Sequence, residues 1–368
     1  MREISFRRLV SGPPATPDRI ALLSIWFHGH NNPRYAELLP RLERLDACLL
    51  RLSDRRVPRG VGYRLFRACH SPLYHVGLGR AAARYRSLLT LDYAQLASWP
   101  GPAVLDADDP YYTERAIELM QGPSLAAYVV TAERAARRYE SLGVDKPWVV
   151  IPQGVNLSAV TPELRRRVGA NKRPGELVVG WMAAHLLTEG DRDADGPLYN
   201  IDHLLSLWDE VHARVPQSRL WLVGGPSERL EQRLLGREDV LLLGRLPRAQ
   251  ALAATSCFDV AVYARTEDTG IRAAKVAEYM GFGIPTVSYD YEVTANLRET
   301  GAGVLVPDDR SFVDALVALL SDEAMRRAMA ERALQAGAAL DWDVLARRFA
   351  DEVLEPYLPA AAAPPPTH

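Results

Sequence analysis

The sequence predicts an α/β protein with two Rossmann-like domains. Short, continuous apolar runs alternate with helical patterns, and this alternation stops near residues 157–174 and then restarts. The length of 368 residues also exceeds what one hydrophobic core normally supports. Apolar strands separated by helices are typical of parallel sheets covered on both faces. Because ligands bind outside the carboxyl ends of such strands, we expect the two domains to face a central cleft.

Composition narrows the class of protein. The chain is 48% hydrophobic and 24% charged, and its formal net charge is −2. These values exclude collagen-like and low-complexity chains and give no overall field that would favour nucleic acid. The N-terminus has no apolar signal core, and no run of about 18 apolar residues occurs anywhere. We therefore expect a cytoplasmic protein, peripheral at the inner membrane face at most.

The predicted N-terminal domain spans residues 1–156. Helices are predicted within it at Arg34–Leu45, Tyr112–Met120 and Glu133–Leu142. Six apolar runs predict its strands: Ile20–Trp26, Cys48–Leu52, Ser87–Asp92, Ala103–Asp106, Ala126–Thr131 and Trp148–Ile151.

Residues 157–174 are polar and basic and end at Pro174-Gly175, which predicts an interdomain connection. The C-terminal domain is predicted over 175–340, a C-terminal helix that returns to the N-terminal domain over 341–358, and a disordered tail over 359–368. Its helices are predicted at Ile201–Arg214, Ala249–Ser256 and Ile271–Met280. Its six strands are predicted at Leu177–Trp181, Arg219–Val223, Val240–Leu243, Val260–Tyr263, Thr286–Tyr289 and Gly303–Val306.

The stretch from Tyr263 to Ser288 contains the most informative pattern. A strand ends near Tyr263, a loop of small and polar residues follows, and a helix continues to Met280. Asp268 or Thr269 would cap that helix, and Gly270 would let the backbone approach a ligand closely. A loop of this kind before a helix predicts an anion site.

Lys275 and Glu278 lie three residues apart and therefore share one helix face. This face offers a cation for phosphate and a carboxylate for two neighbouring hydroxyls, as in a ribose. Only three of the 44 basic residues are lysines, so a lysine at this position is notable. The alternative is a surface ion pair, which would contribute little.

The segment Lys275-Val-Ala-Glu278-Tyr-Met-Gly-Phe-Gly-Ile-Pro285-Thr-Val resembles the donor-binding signature of retaining, nucleotide-sugar-dependent glycosyltransferases of family 4, which have the GT-B fold. Other segments resemble the same family in the same order. They are Ile151-Pro-Gln-Gly-Val-Asn156, Leu222-Val-Gly-Gly225 and Leu243-Gly-Arg245-Leu246. The resemblance covers most of Trp148 to Pro307.

The resemblance implies a role for each matching residue. Glu278 would bind the ribose, and Lys275 would neutralise the leaving diphosphate as a catalytic residue. The loop residues Thr269, Gly270 and Ile271 would help to hold the donor. Further donor contacts are implied for Arg265 or Arg272 at the phosphates and for Arg245 and Leu246 at the base.

The resemblance also implies the reaction: a sugar would be transferred from a nucleoside-diphosphate sugar to a hydroxyl acceptor, with retention of the anomeric configuration. The acceptor would be a glycan, a lipid-linked acceptor or a small molecule. No cofactor and no metal are implied, because cationic side chains replace the metal. The sequence departs from the family at two places. Gly270 stands where many relatives have a second Glu, and the first strand of the C-terminal domain leads to His185 rather than to an Arg and a Lys.

The acceptor would bind to the N-terminal domain. Gly29, His30 and Asn31 follow the first predicted strand, and His30 is a candidate catalytic residue; the alternative is a polar turn without a ligand. His28 and His30 lack a third metal ligand in the sequence. Asp108, a second catalytic candidate, and Asp109 would orient the acceptor hydroxyl; the alternative is a helix N-cap before Pro110.

The stretch from Arg51 to Arg86 contains nine arginines and one acidic residue, Asp54. It predicts either peripheral contact with an acidic membrane surface or a solvated helical face.

Three other functions remain open at this point. An NAD-dependent oxidoreductase would need a G-x-G-x-x-G turn after its first strand, which is missing. A nucleotide-sugar epimerase of the same fold would convert donor without acceptor. A non-catalytic glycosyltransferase-like partner protein would show no turnover.

Overall fold

The computed structural model describes residues 2–12, 15–16, 18–24, 33–49, 74–188, 191, 201–265 and 273–359. The chain divides into two compact units, one of Met1–Pro152 with Trp342–His368 and one of Gln153–Asp341. It passes between the units after Pro152 and again after Asp341. Within the described ranges, no helix is both long and apolar enough to cross a membrane.

The first unit is built on a parallel sheet of seven strands in the order β1-β3-β2-β4-β5-β6-β7. The strands are β1 (Arg2–Ile4), β2 (Ile20–Ser24), β3 (Leu45–Leu49), β4 (Ser87–Thr90), β5 (Ala103–Ala107), β6 (Leu125–Val130) and β7 (Trp148–Val150). The helices between them are α1 (Phe6–Ser11), α2 (Pro33–Leu38), α3 (74–82), α4 (Tyr93–Leu96), α5 (Glu114–Met120) and α6 (Glu133–Ser141).

Successive residues of the first sheet serve opposite faces, as the period of two in a strand requires. Leu88 and Leu105 pack into the cluster on one face, whereas Leu89 and Val104 pack into the cluster on the other. Both faces are therefore apolar. This explains why the strands are continuous apolar runs in the sequence.

The second unit has a parallel sheet of six strands in the order β10-β9-β8-β11-β12-β13. The strands are β8 (Leu177–Leu186), β9 (Ser218–Pro226), β10 (Val240–Gly244), β11 (Val260–Tyr263), β12 (Thr286–Tyr289) and β13 (Gly303–Val306). The first strand of the unit lies centrally, and the order reverses between β8 and β11. In open α/β sheets, this reversal is where ligands bind.

The helices of the second unit cover both faces of its sheet. They are α7 (Pro162–Gly169), α8 (Ile201–Arg214), α9 (Glu228–Arg233), α10 (Arg248–Thr255), α11 (Ala274–Gly281), α12 (Ala295–Thr300), α13 (Asp309–Ser321) and α14 (Glu323–Gly337). Val179 and Trp181 pack on one face of the sheet, whereas Val178 and Met182 pack on the other. The predicted class of two parallel α/β sheets is confirmed.

Residues 157–174, expected to connect the domains, lie inside the second unit. They form a 3-10 helix at Leu157–Ala159 and then α7. The hydroxyl of Thr161 accepts a hydrogen bond from Leu164 N at 3.2 Å, and Pro162 is the first helical residue. The capping threonine and the first-turn proline start a helix here although the segment is polar, because one apolar face is enough to pack a surface helix.

The C-terminal helix belongs to the first unit, as predicted. It comprises α15 (Trp342–Phe349), a π-helical turn at Ala350–Leu354 and α16 (Glu355–Tyr357). Trp342, Leu345 and Phe349 pack into the same cluster as strand residues of the first sheet. The predicted disordered tail, residues 359–368, lies outside the described residues from 360 onwards.

Several element bounds differ from those predicted. The helix expected at Arg34–Leu45 ends at Leu38 and continues as a 3-10 turn at Leu39–Arg41. A proline in this turn removes a backbone donor, which ends the α-helix early. β3 consequently begins at Leu45 instead of Cys48.

Candidate functional site

A buried carboxylate lies on the helix that follows β11. Glu278 of α11 is 2% exposed, and its Oε1 accepts a hydrogen bond from the guanidinium of Arg248 at the start of α10. Its Oε2 is also buried and has no hydrogen-bond partner within the part of the chain that the structure describes. A buried acceptor without a partner is unfavourable, so a ligand hydroxyl at this oxygen would stabilise the site.

A lysine one helical turn earlier lies beside two aromatic rings. The Nζ of Lys275 is 5.0 Å from the centroid of the Trp181 ring and 5.9 Å from that of Tyr263. Burial lowers the pKa of Lys275 to about 7, and repulsion from Arg265 adds to this, whereas Glu278 opposes it. An anion bound beside Lys275 would raise that pKa again, because it favours the ammonium form.

Three charged side chains therefore meet at the carboxyl end of β11. Arg265, two residues beyond the strand, is 8% exposed, and its Nη1 donates to the Tyr263 hydroxyl at 3.3 Å. Tyr263 belongs to β11 and Trp181 to β8, so the two strands at the reversal of the sheet form the aromatic wall. This set offers two cations for phosphate and one carboxylate for hydroxyls.

The ends of β8, β9 and β10 border the same edge of the sheet. Gly224 has φ of +151°, and a Cβ there would lie 2.1 Å from the carbonyl oxygen of Ala183. Only glycine therefore fits at this position. The guanidinium of Arg245 lies 3.2 Å and 3.3 Å from the two ring nitrogens of His185. His185 is exposed and lies beside Arg245, which the sequence predicts to contact the base of the donor nucleotide.

The structure brings several predicted donor residues together. Glu278, Lys275 and Arg265 share one end of the sheet. Leu246 lies two residues before Arg248, whose guanidinium contacts Glu278. Three further predicted donor residues lie outside the described residues: Thr269, Gly270 and Ile271.

The predicted start of the helix in this region was wrong. α11 begins at Ala274, and Ala273 is its N-cap without a side-chain hydrogen bond. Asp268 and Thr269, the two predicted caps, lie outside the described residues. Ala273 and Ala274 are good helix formers that give no start signal. The bound at Ile271 therefore could not be read from propensity.

The predicted acceptor residues lie in the first unit. Gly29, His30 and Asn31 lie outside the described residues. Asp108 and Asp109 follow β5, and Oδ1 of Asp108 accepts from the backbone N–H of Asp109 at 3.0 Å. The alternative, a helix N-cap before Pro110, is wrong because α5 is capped by Thr113.

One buried hydrogen-bond network was not predicted from the sequence. Nε of Arg34 and the hydroxyl of Tyr35 both donate to Oδ2 of Asp106 at 2.8 Å. Arg34 also donates to the carbonyl of Pro152 at 2.9 Å, and its guanidinium lies 5.7 Å from the centroid of the Trp342 ring. An acidic residue at the end of the apolar β5 was the available signal, since a buried carboxylate requires a partner.

Of the arginine-rich stretch Arg51 to Arg86, only residues 74–86 are described. Within that part, Nη1 of Arg84 donates to the carbonyls of Arg8 and Leu9 at 2.6 Å and 3.1 Å. Arg84, two residues after the end of α3, therefore links this part of the chain to α1.

Among the residues that the structure describes, no three His, Cys, Asp or Glu side chains are grouped so that they could hold a metal ion.

Comparison with known protein sequences points to one family. Residues 193–322 match the family model described as glycosyl transferases group 1. A phosphatidyl-myo-inositol mannosyltransferase of Mycobacterium leprae (strain TN) is 30% identical over 226 residues, which are 58% of this chain and 55% of that protein. The match therefore spans about half the length of this curated relative.

Solved structures share the fold. Anabaena HepE in complex with UDP has 16% identity and a TM-score of 0.66, over 91% of this chain and 99% of that chain. WaaG, a glycosyltransferase involved in lipopolysaccharide biosynthesis, has 13% identity and a TM-score of 0.62, over the same shares of the two chains. The chain thus has the GT-B fold of these solved structures, and its residues 193–322 are similar to the glycosyl transferases group 1 family.

Proposed function

We propose that the protein is a glycosyltransferase that moves a sugar from a nucleoside-diphosphate sugar to a hydroxyl acceptor. The observation that carries the proposal is the buried Glu278 carboxylate, whose Oε2 has no partner among the described residues, one turn from Lys275. The group 1 domain includes both residues. HepE, which shares the fold, is known in complex with UDP and with UDP-glucose, which supports a nucleotide-sugar donor.

Each donor group has a chemical partner in this site. Oε2 of Glu278 accepts from a ribose hydroxyl, because a charged acceptor forms a strong hydrogen bond with a hydroxyl donor. Lys275 and Arg265 bind the diphosphate, and the backbone near Arg245 and Leu246 contacts the base. The loop residues Thr269, Gly270 and Ile271 complete the phosphate site with backbone amides.

The chemical step is departure of the nucleoside diphosphate, on which negative charge grows. Lys275 in its protonated form neutralises this charge, and Arg265 assists. These cations take the role that a metal has in other transferases, so the reaction needs no metal and no cofactor. The acceptor enters from the face that the diphosphate leaves, which retains the anomeric configuration.

The acceptor is a glycan, a lipid-linked hydroxyl or a small molecule. Asp108 and His30 act on its hydroxyl, and Gly29, Asn31 and Asp109 complete that side of the site. The name of the mycobacterial relative, a phosphatidyl-myo-inositol mannosyltransferase, favours a lipid-linked acceptor. Arg51 to Arg86 then contacts the inner membrane face of a cytoplasmic enzyme, and salt-sensitive binding to anionic vesicles tests this contact.

Isothermal titration with UDP, GDP and ADP, and with their hexose conjugates, tests donor binding. We expect Glu278→Gln to weaken binding of the preferred nucleotide at least ~10-fold, since a hydrogen bond to a charged group is lost. Glu323→Gln is the matched control, because Glu323 is an exposed partner of Arg327. A folded Glu278→Gln variant with unchanged nucleotide affinity would refute the assignment.

Assays of turnover distinguish a retaining glycosyltransferase from the other candidate functions, an epimerase and a non-catalytic partner protein. Lys275→Met should lower kcat more than it weakens donor binding, and activity should persist in EDTA. Proton NMR of the product reports the anomeric configuration, and inversion would contradict retention. Conversion of the donor without any acceptor would identify a nucleotide-sugar epimerase, and nucleotide binding without turnover a non-catalytic partner protein.

A further inference from the structure

An exposed cation forms an ion pair with the buried carboxylate of the proposed ribose site. Arg248 is the first residue of α10, and its guanidinium donates to Oε1 of Glu278. The side chain of Arg248 is 43% exposed, whereas that of Glu278 is 2% exposed. The ion pair therefore joins a side chain that solvent reaches to one that is buried.

The two oxygens of Glu278 are not equivalent. Oε1 is engaged by Arg248, and Oε2 is buried without a hydrogen-bond partner within the described ranges. The terminal torsion of a glutamate is broad and nearly two-fold, so the carboxylate plane is not fixed by its own rotamer. A charged hydrogen bond from a guanidinium to one oxygen restricts rotation of the carboxylate and so limits the directions in which the other oxygen can point.

The backbone that carries Arg248 is itself held firmly. Ala251 and Leu252, in the first turn after it, are buried in the second unit. Leu246, just before the helix, packs against the same cluster as Phe258 and Ile284. The base of the Arg248 side chain is thus anchored to the sheet that also positions α11.

We propose that Arg248 is a positioning residue that holds Oε1 of Glu278 so that Oε2 meets a ribose hydroxyl. This inference rests on the proposed function. Its consequence is selectivity for ribonucleotides over deoxyribonucleotides. A site built around one hydroxyl rejects the analogue that lacks it, because a buried acceptor is then left without a partner.

The shape of the side chain matters as well as its charge. A lysine at position 248 would supply a point charge on a flexible stem, whereas the planar guanidinium can restrain a carboxylate plane. Arg248→Lys should therefore keep part of the overall affinity but lose most of the selectivity. Arg248→Gln and Arg248→Ala should lose both.

The experiment measures Kd by titration for UDP and GDP and for their 2′-deoxy and 3′-deoxy analogues. For the nucleotide that binds, the wild type should prefer the ribose form at least ~10-fold over one deoxy analogue. Arg248→Ala should reduce that preference below about threefold, which is close to the value without a specific hydrogen bond. Thermal melting identifies folded variants, and Arg248→Gln and Arg248→Lys serve if Arg248→Ala does not fold.

The control is Arg327→Ala, since Arg327 forms an exposed ion pair with Glu323 on α14. If Arg248→Ala keeps the wild-type preference, or binds the ribonucleotide more tightly, the inference is overturned while the proposed function stands. If the wild type binds none of these nucleotides, the proposed function fails as well. Loss of preference in both Arg248→Ala and Glu278→Gln, with Arg327→Ala unchanged, supports both.

Discussion

Replacing Arg34 by methionine should destabilise the first unit strongly. Arg34 is 1% exposed, and the Asp106 side chain that it contacts is fully buried. The substitution keeps most of the apolar volume but leaves a carboxylate in the protein interior with Tyr35 as its one remaining donor among the contacts described above. It also removes the hydrogen bond to the carbonyl of Pro152 and the contact with the ring of Trp342.

The expected loss in the free energy of unfolding follows from this burial. Removing one partner of a buried ion pair costs about 3–5 kcal/mol, because the other charge remains uncompensated. An exposed pair contributes less than about 1 kcal/mol, so Arg115→Met, in a pair with Glu118 whose side chains are 71% and 58% exposed, is the matched control. The double variant Arg34→Met/Asp106→Leu removes both charges and should recover at least about 2 kcal/mol of the loss.

Hydrogen exchange with peptide resolution is the appropriate assay, because a chain with two units need not unfold in one step. Peptides from α2 and β5 report on the first unit, and peptides from β12 and α13 report on the second as an internal reference. We expect Arg34→Met to speed exchange in the first set and the double variant to restore most of the protection.

Two results would contradict this reasoning. One is a loss of stability in Arg34→Met no larger than in Arg115→Met. The other is a double variant as unstable as the sum of the two single variants, since the pair would then have no coupling energy. Either result would mean that Asp106 is not held as a buried charge by Arg34.

Two further predictions concern the second unit: the pH dependence of nucleotide binding, and the effect of a larger side chain at Gly180. Because the pKa of Lys275 is about 7, its side chain is mostly the neutral amine well above that pH. Nucleotide affinity should therefore be steady below pH 7 and should fall as the pH rises to 9. The Lys275→Arg variant, titrated in the same way, should show no such fall. Gly180→Val should lower the melting temperature, because a Cβ there lies 2.0 Å from the Phe258 ring and overpacking costs about 1–3 kcal/mol. Gly79→Ala, in an open helical position, should not lower it.

Much of the architecture is determined locally by the sequence. Runs such as Val260–Tyr263 are apolar at every position, which is typical of a strand buried on both faces. Helices between such strands require parallel crossovers, so two parallel sheets followed from the pattern. The spacing of Lys275 and Glu278 by itself also places them on one helix face.

The bounds of elements depended on contacts that no local pattern contains. α7 formed where polar composition predicted a connection, because Thr161 caps it and Val168 packs against the second sheet. α11 began at Ala274 instead of Ile271, since alanines continue a helix without marking its start.

The tertiary structure alone decided which distant side chains meet. Arg248 and Glu278 lie 30 residues apart in the chain, and Arg34 and Asp106 lie 72 apart. The contact of Lys275 with Trp181 depends on β8 lying beside β11, and many strand orders are compatible with the same apolar runs. Strand order is chosen by the free energy of packing the whole sheet, so these pairings are set by the assembled core and not by any segment of the sequence.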